Sequence, residues 1–542
     1  MRVESHPGLA ALLAFAVSFG VLVANGRAIG SGDSNAVELT AAALVEHTTF
    51  VLTDRADGDP FTRAVSGGRI SVYPPLTALI ATPFFVIFGW FFDLNGASVQ
   101  IVGKLTAAFL SAASIAIMTM AFTRRVGSPM AIGAALVYGL GTSVYSTSQA
   151  LWQHPAVVLW LAMAISALDL LAITPAASQR APVGVAAICL AFSAMARPAT
   201  IPMCAVLFSF LLFRTRKVVW PLIAAALPLA ATSIYNTVFF GAPWRFGPEL
   251  GGRFLLAVPE SIIGLLVSPA RGLLVFTPIA LIALFSLAKE ARRSSLARAL
   301  LASVAAHFAF IAAWNEWHGG ESFGPRLLTD MLPALFFFLP EGLSTWPKLS
   351  GLLGAASIAI QLLGGWTYDY RWERLHQRGR DFDSALWEWR ESPIAFAMRE
   401  GVFIQGAPEA DGRRLRVPVR RFVPFGPTGS LIEGTSGGLR ISGDPRVGDL
   451  RLERGARLSE GWITLSHPGD ALAFRVLSSG VHELRLAGSL KGTLGIELGR
   501  PAIRTELTGA FEVSFPIQPG AGVDVFVRAE SGELRLARAE VK

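Results

Sequence analysis

The chain has 542 residues, 52% of them hydrophobic and only 16% charged, with a mean hydropathy of +0.49 and a formal net charge of +8. A soluble enzyme of this length carries nearer a quarter charged residues, so a polytopic membrane protein is expected. The basic excess is read as topology, because Lys and Arg are retained on the cytoplasmic side, and arginines scattered without interleaved exposed aromatics speak against a nucleic-acid surface.

Apolar runs approaching the ~20 residues needed to cross a bilayer recur at 8–24, 99–122, 129–147, 154–172, 183–196, 199–213, 218–235, 271–288, 296–313, 327–343 and 348–365. About eleven transmembrane helices are therefore expected. The first, in "MRVESHPGLAALLAFAVSFGVLVANG", lacks a small-x-small cleavage site and reads as a retained helix rather than a signal peptide. The stretch 73–92 is apolar enough to cross, but Pro74, Pro75 and Pro83 favour an interfacial or re-entrant helix. Segments 183–196 and 199–213 are short, which suits a broken or tilted pair. Cys189 and Cys204 lie in apolar segments, without disulfide or metal-ligand spacing, and read as small core residues.

Basic residues fall at alternate connections: Arg124 and Arg125; Arg214, Arg216 and Lys217; Lys289, Arg292 and Arg293; Lys348. Placing all of them and the N-terminus in the cytoplasm turns 25–98, 148–153, the surroundings of Arg197, 236–270, 314–326 and everything after 366 outward. Residues 366–410 form a Trp-rich, membrane-proximal connector. From 411 to 542, short alternating runs such as "LAFRVLS", "VHELRLAGS" and "VDVFVRA" predict a β-sandwich.

The chemistry-bearing residues gather on the outward side. Asp33 follows "GSG" just past the first helix; it reads either as an N-cap or as a carboxylate that takes a proton from a substrate hydroxyl. Glu38, five residues on, is a weaker candidate. His154 and Arg197 stand at outward helix ends, with snorkelling as the bland account of Arg197; Arg271 is similar. "WNEWHGGESFGPRLL" places Trp314, Glu316, Trp317, His318, Glu321 and Arg326 in one short connection. Arg326 suits a phosphate oxyanion, the alternative being an internal pair with Glu316 or Glu321. Trp314 and Trp317 read as interfacial anchors or as sugar-stacking rings.

An outward Asp past the first helix, "YPPL" with Tyr73, the "ARP" helix end and "W-x2-W-x-GG-x-SFGPR" together resemble bacterial membrane glycosyltransferases of the GT-C superfold, in particular the protein-mannosyltransferase and aminoarabinose-transferase group. The resemblance spans roughly 8–365 and implies a GT-C-like transmembrane domain over 1–365, whose first extracytoplasmic loop is 25–98. It implies an enzyme of the bacterial inner membrane that moves a sugar from a polyprenyl phosphate to a glycan, lipid or protein acceptor of the envelope. Asp33 is then the base, Arg326 and Arg197 bind the donor phosphate, and Tyr73, His154 and the 314–321 residues contact substrate. The first loop reads "GDS", without the adjacent acidic pair of the protein mannosyltransferases, which leaves a divalent cation and a protein acceptor open. The rival readings are a transporter or flippase of lipid-linked sugars and a non-catalytic assembly protein with a glycan-binding domain.

Overall fold

The computed structural model describes residues 6–400 except 53–58, 95, 176–177, 216–218, 246–253, 255–258, 369, 371, 374–375 and 377–381, together with the backbone of the strands between 430 and 541. The chain divides into two units, one built on Met1–Glu400 and the other on Pro418–Lys542.

The first unit is helical. Helices α1 (Pro7–Val23), α4 (Gly96–Phe122), α5 (Ser128–Leu140), α7 (His154–Leu170) and α8 (Arg180–Ala196) pack side by side. Small residues let them approach closely: a side chain at Gly139 would meet Ile115 of α4 at 2.0 Å, the close packing expected where no water drives association. A polar clasp closes one end of α1 and α4. Asn25 donates to Gln149 and to the Gly365 carbonyl at 2.7 Å each, and Lys104 Nζ donates to Asn25 Oδ1 at 3.2 Å and to Gln149.

Every predicted apolar segment contains helix, but not every one is continuous. Among the described residues, four helices are long and apolar enough to span: Ser98–Phe122, α10 (Val219–Phe240), α14 (Ser295–Ala312) and α17 (Pro347–Thr367). Segment 129–147 is interrupted after Leu140, where α6 (Ser143–Thr147) begins anew. Segment 271–288 divides into α12 (Leu273–Phe276) and α13 (Ala280–Ala291), with Pro278 between them. Segment 327–343 becomes a 3-10 turn (Arg326–Met331), α15 (Leu332–Leu335) and α16 (Leu339–Thr345), bent by 73°. The short pair is α8 and α9 (Ile201–Arg214), joined through a 3-10 turn at Pro198–Thr200.

The segment after α1 forms its own small elements. Helix α2 (Gly32–Glu46) leads to a three-stranded antiparallel sheet of β1 (Val51–Leu52), β2 (Thr62–Val65) and β3 (Gly68–Ser71), ordered β1-β3-β2. The tight β2–β3 turn needs Gly67, whose φ is +87°. Helix α3 (Leu76–Gly89) follows and carries Pro83. Its 14 residues reach ~21 Å, and it is followed by the exposed Trp90, Phe91 and Phe92.

The second unit is antiparallel β structure. Strands β4 to β12 run from Ser430 to Val541, and β10 (Glu483–Leu498), β11 (Ala502–Pro516) and β12 (Val523–Val541) form a long meander. Strand β12 also pairs with β4 (Ser430–Thr435), β8 (Trp462–Leu465) and β9 (Ala471–Val476), and the nine described strands join into one hydrogen-bonded sheet.

Candidate functional site

Asp33 is not the N-cap of α2. Ser31 occupies that position, and its backbone N–H donates to Ser34 Oγ at 3.0 Å. The Asp33 carboxylate, in the first turn where the helix dipole favours an anion, is thereby free to point elsewhere. It accepts from Ser31 Oγ, from the Trp152 indole N–H at 3.0 Å and from Arg326 Nη1 at 2.7 Å. Gly32 is required here, because the Phe61 ring from the small sheet lies 2.1 Å from where a Cβ would stand.

Arg326 therefore pairs with Asp33 across the chain. Its second nitrogen donates to the Gly319 carbonyl at 2.9 Å, and its guanidinium lies 5.2 Å from the Trp152 ring centroid. The turn that brings Gly319 into place uses φ values of +75°, +63° and +87° at Gly319, Gly320 and Gly324, a conformation that side chains resist. Both side chains of the Asp33–Arg326 pair keep 12% of their surface exposed, enough for a ligand to reach them.

A second carboxylate, Asp330, organises the neighbouring charges. It is fully buried one turn beyond Arg326. One oxygen accepts from His154 Nδ1 at 2.7 Å and the other from Arg197 Nη1. His307 Nε2 stands 3.9 Å from Asp330 and donates to the Leu327 carbonyl at 3.0 Å. Arg197 is held in extended backbone, φ −151°, at the break after α8. Pro198 imposes that conformation on the residue before it.

Tyr73 leaves β3 beside these groups. Its phenol is pushed above the ordinary tyrosine value by burial first and by Asp33 next, with Arg326 and Arg197 opposing; it stays protonated and can only donate or accept hydrogen bonds. Glu38 is buried against Gly103 and accepts from the Leu151 N–H at 3.1 Å. Burial, with Asp33 adding to it, pushes its carboxyl up to about 8.

The other residues of the 314–326 connection support it. Trp317 is buried with its ring on Gly264 of α11 (Pro259–Val267), and Trp314 bridges to Phe254. Glu316, half exposed, lies 3.0 Å from His318 Nε2. His318 Nδ1 accepts from the Gly320 N–H at 3.3 Å, and burial together with Arg271 lowers the imidazole to about 4, so the ring is neutral with its proton on Nε2. Glu321 lies within electrostatic reach of Tyr370. Arg271 is fully buried: it donates to the carbonyls of His318 and Gly320 and pairs with Glu373 at 2.8 Å. It fastens the loop rather than facing a ligand.

An apolar cavity of about 280 Å³ lies between α8, α9 and α10, lined among others by Leu190, Met195, Ile201, Cys204, Phe208 and Leu229. Met195 and Ile201 flank Arg197 in sequence, so the cavity reaches the residues on either side of that cation. Among the described residues, no group of three His, Cys, Asp or Glu side chains could hold a metal ion.

No protein-family model matches the chain, and no curated protein matches it. Solved structures similar to it include an oligosaccharyltransferase of Archaeoglobus fulgidus in complex with Zn and sulfate, at 13% identity and a TM-score of 0.41, covering 76% of this chain and 59% of that one. The archaeal enzyme with an inhibitory peptide and a dolichol-phosphate aligns at 11% identity and a TM-score of 0.41 over 76% of this chain and 61% of that one. The S. cerevisiae protein O-mannosyltransferase complex bound to the sugar donor aligns at 12% identity and a TM-score of 0.31, over 46% and 35%. The chain thus spans about three-fifths of the length of the oligosaccharyltransferases.

The structure brings Asp33, Tyr73, His154, Arg197 and Arg326 into one neighbourhood and adds two residues that sequence reasoning passed over, Trp152 and Asp330. Asp330 carried a signal: an ionisable residue inside "RLLTDMLPALFFF" is costly in an apolar segment and so needs a partner.

Proposed function

We propose that the chain transfers a sugar from a polyprenyl-phosphate donor to a hydroxyl of a cell-envelope acceptor, on the outer face of the bacterial inner membrane and with inversion at the anomeric carbon. The observation that carries this reading is the meeting of a largely buried carboxylate and two guanidinium groups beside an apolar cavity. Such an arrangement suits a lipid phosphate, with its prenyl chain in the cavity and its head against Arg197 and Arg326.

In the transfer, the bond from the acceptor oxygen to the anomeric carbon forms as the bond from that carbon to the phosphate oxygen breaks. The phosphate leaves with the electron pair and needs charge stabilisation more than a proton, which the arginines supply. The acceptor proton goes to Asp33. Since Arg326 now holds Asp33 at 2.7 Å, the donor phosphate has to draw Arg326 away before the carboxylate can act as base. Donor binding then precedes acceptor activation. Trp152 keeps the carboxylate oriented through its indole N–H, and Tyr73 offers a protonated phenol to the sugar. We assign the C-terminal strands to a two-layer sandwich that orients a glycan acceptor.

A transporter of lipid-linked sugars would use polar groups deep in the span. Lys104 is an ionisable group near the start of a spanning helix, but Asn25 and Gln149 already engage it, so the clasp accounts for it. The test is turnover by purified protein in lipid nanodiscs, offered a panel of polyprenyl-phosphate sugars, with the anomeric configuration of the product read by NMR. The proposal expects an inverted glycoside from at least one donor. A retained configuration would refute the single displacement, and vectorial movement of donor without transfer would favour the transporter.

A further inference from the structure

The two site arginines are not held alike. Arg326 is paired with a partly exposed carboxylate that shares its role with the reaction, whereas Arg197 is paired with one that no ligand can touch: Asp330 is 0% exposed against 14% for the Arg197 side chain. Asp330 has both oxygens engaged, by His154 on one side and Arg197 on the other. It also lies on the same short turn as Arg326, four residues on, so that one turn carries Arg326 directly and fixes Arg197 at a distance.

We propose that Asp330 is a positioning residue for donor binding, which acts through Arg197 by aiming its guanidinium at the donor phosphate while holding His154 in the tautomer that donates from Nδ1. This rests on the reading of Arg197 as a phosphate ligand. The physical reasons are three. An arginine has a long, mobile side chain, and its affinity for an anion rises when its rotamer is fixed beforehand. Pro198 fixes its backbone, and Asp330 fixes its far end. An ionised carboxylate accepts hydrogen bonds only, so His154 Nδ1 at 2.7 Å is the donor and its Nε2 is left as the acceptor. Finally, a fully buried carboxylate is costly unless paired, so Arg197 and His154 are each required for Asp330 to remain ionised, and the three side chains work as a unit.

The experiment is binding of farnesyl phosphate, a short-chain lipid monophosphate, to the full-length protein in nanodiscs, for wild type, Asp330→Asn, Arg197→Gln and the double variant. Asp330→Asn is expected to weaken binding roughly 10- to 100-fold, the cost of a misplaced ligand group. The double variant is expected to bind no more weakly than Arg197→Gln alone, because Asp330 has nothing left to position. The double variant also removes the uncompensated buried charge, so its comparison with Arg197→Gln stands even where Asp330→Asn does not fold. Losses that add in the double variant, or an Asp330→Asn protein that binds like wild type, would overturn the inference and leave the arginine's phosphate role intact. A wild type that does not bind farnesyl phosphate would overturn both.

Discussion

Asp33 and Arg326 are 293 residues apart in sequence and 2.7 Å apart in space. In the mechanism proposed above this pair is the resting arrangement, and the Asp33 oxygens become available when the donor phosphate draws Arg326 away. Glu38, the neighbouring acid, behaves differently. Its carboxyl is raised from 4.5 to about 8, chiefly by burial, so across that window the folded protein keeps a proton that the unfolded chain has lost. Stability then falls as pH rises from the ordinary carboxylate value and levels off above about 8. Thermal unfolding of Glu38→Gln followed across this range is expected to lose that slope, because an amide cannot ionise. Parallel pH curves for the variant and wild type would show that Glu38 is ionised in the fold.

At the scale of elements, the 314–326 connection is held by a buried anchor. Arg271 and Glu373 are both fully buried and 2.8 Å apart, and Arg271 also binds two carbonyls of the loop. Glu373→Gln strips the pair of its anion and is expected to cost about 3–5 kcal/mol, seen as a lowered melting temperature and faster proteolysis in the loop. The exposed Glu391–Arg399 pair, with about half of each side chain in solvent, serves as the control, since breaking such a pair costs under ~1 kcal/mol. Equal effects at both places would contradict the anchor.

The elements also show what a sequence can and cannot disclose. Each of the eleven apolar runs contains helix, although among the described residues only four helices are long and apolar enough to span, where eleven transmembrane helices were expected. Where the helices break was less legible, although "FTPIA" and "LGTSV" contain the proline and glycine that break them. The pairing of Asp33 with Arg326 was beyond reach: both residues were suspected, but which carboxylate met which cation depends on how distant helix ends converge. Trp152 was passed over, and Asp330 was hidden in an apolar run although it meets Arg197 and His154.

For the helical unit as a whole, α7 supplies an internal ruler. His154 at its first residue meets Asp330, while Asp169 near its last residue pairs with Arg124 at 3.0 Å and Arg125 at 2.7 Å. The charged cluster around Asp330 and the Arg124–Arg125 pair thus lie at opposite ends of one helix. The central claim is that Asp33 is the acceptor base, masked by Arg326 until the donor phosphate arrives. The measurement that tests it most directly is sugar transfer by Asp33→Asn with lipid-phosphate affinity determined on the same preparation. The account predicts that turnover falls by at least ~100-fold, the lower bound for losing a positioned base, while farnesyl phosphate binds more tightly because Arg326 is no longer held by a carboxylate. Undiminished turnover in Asp33→Asn would contradict it.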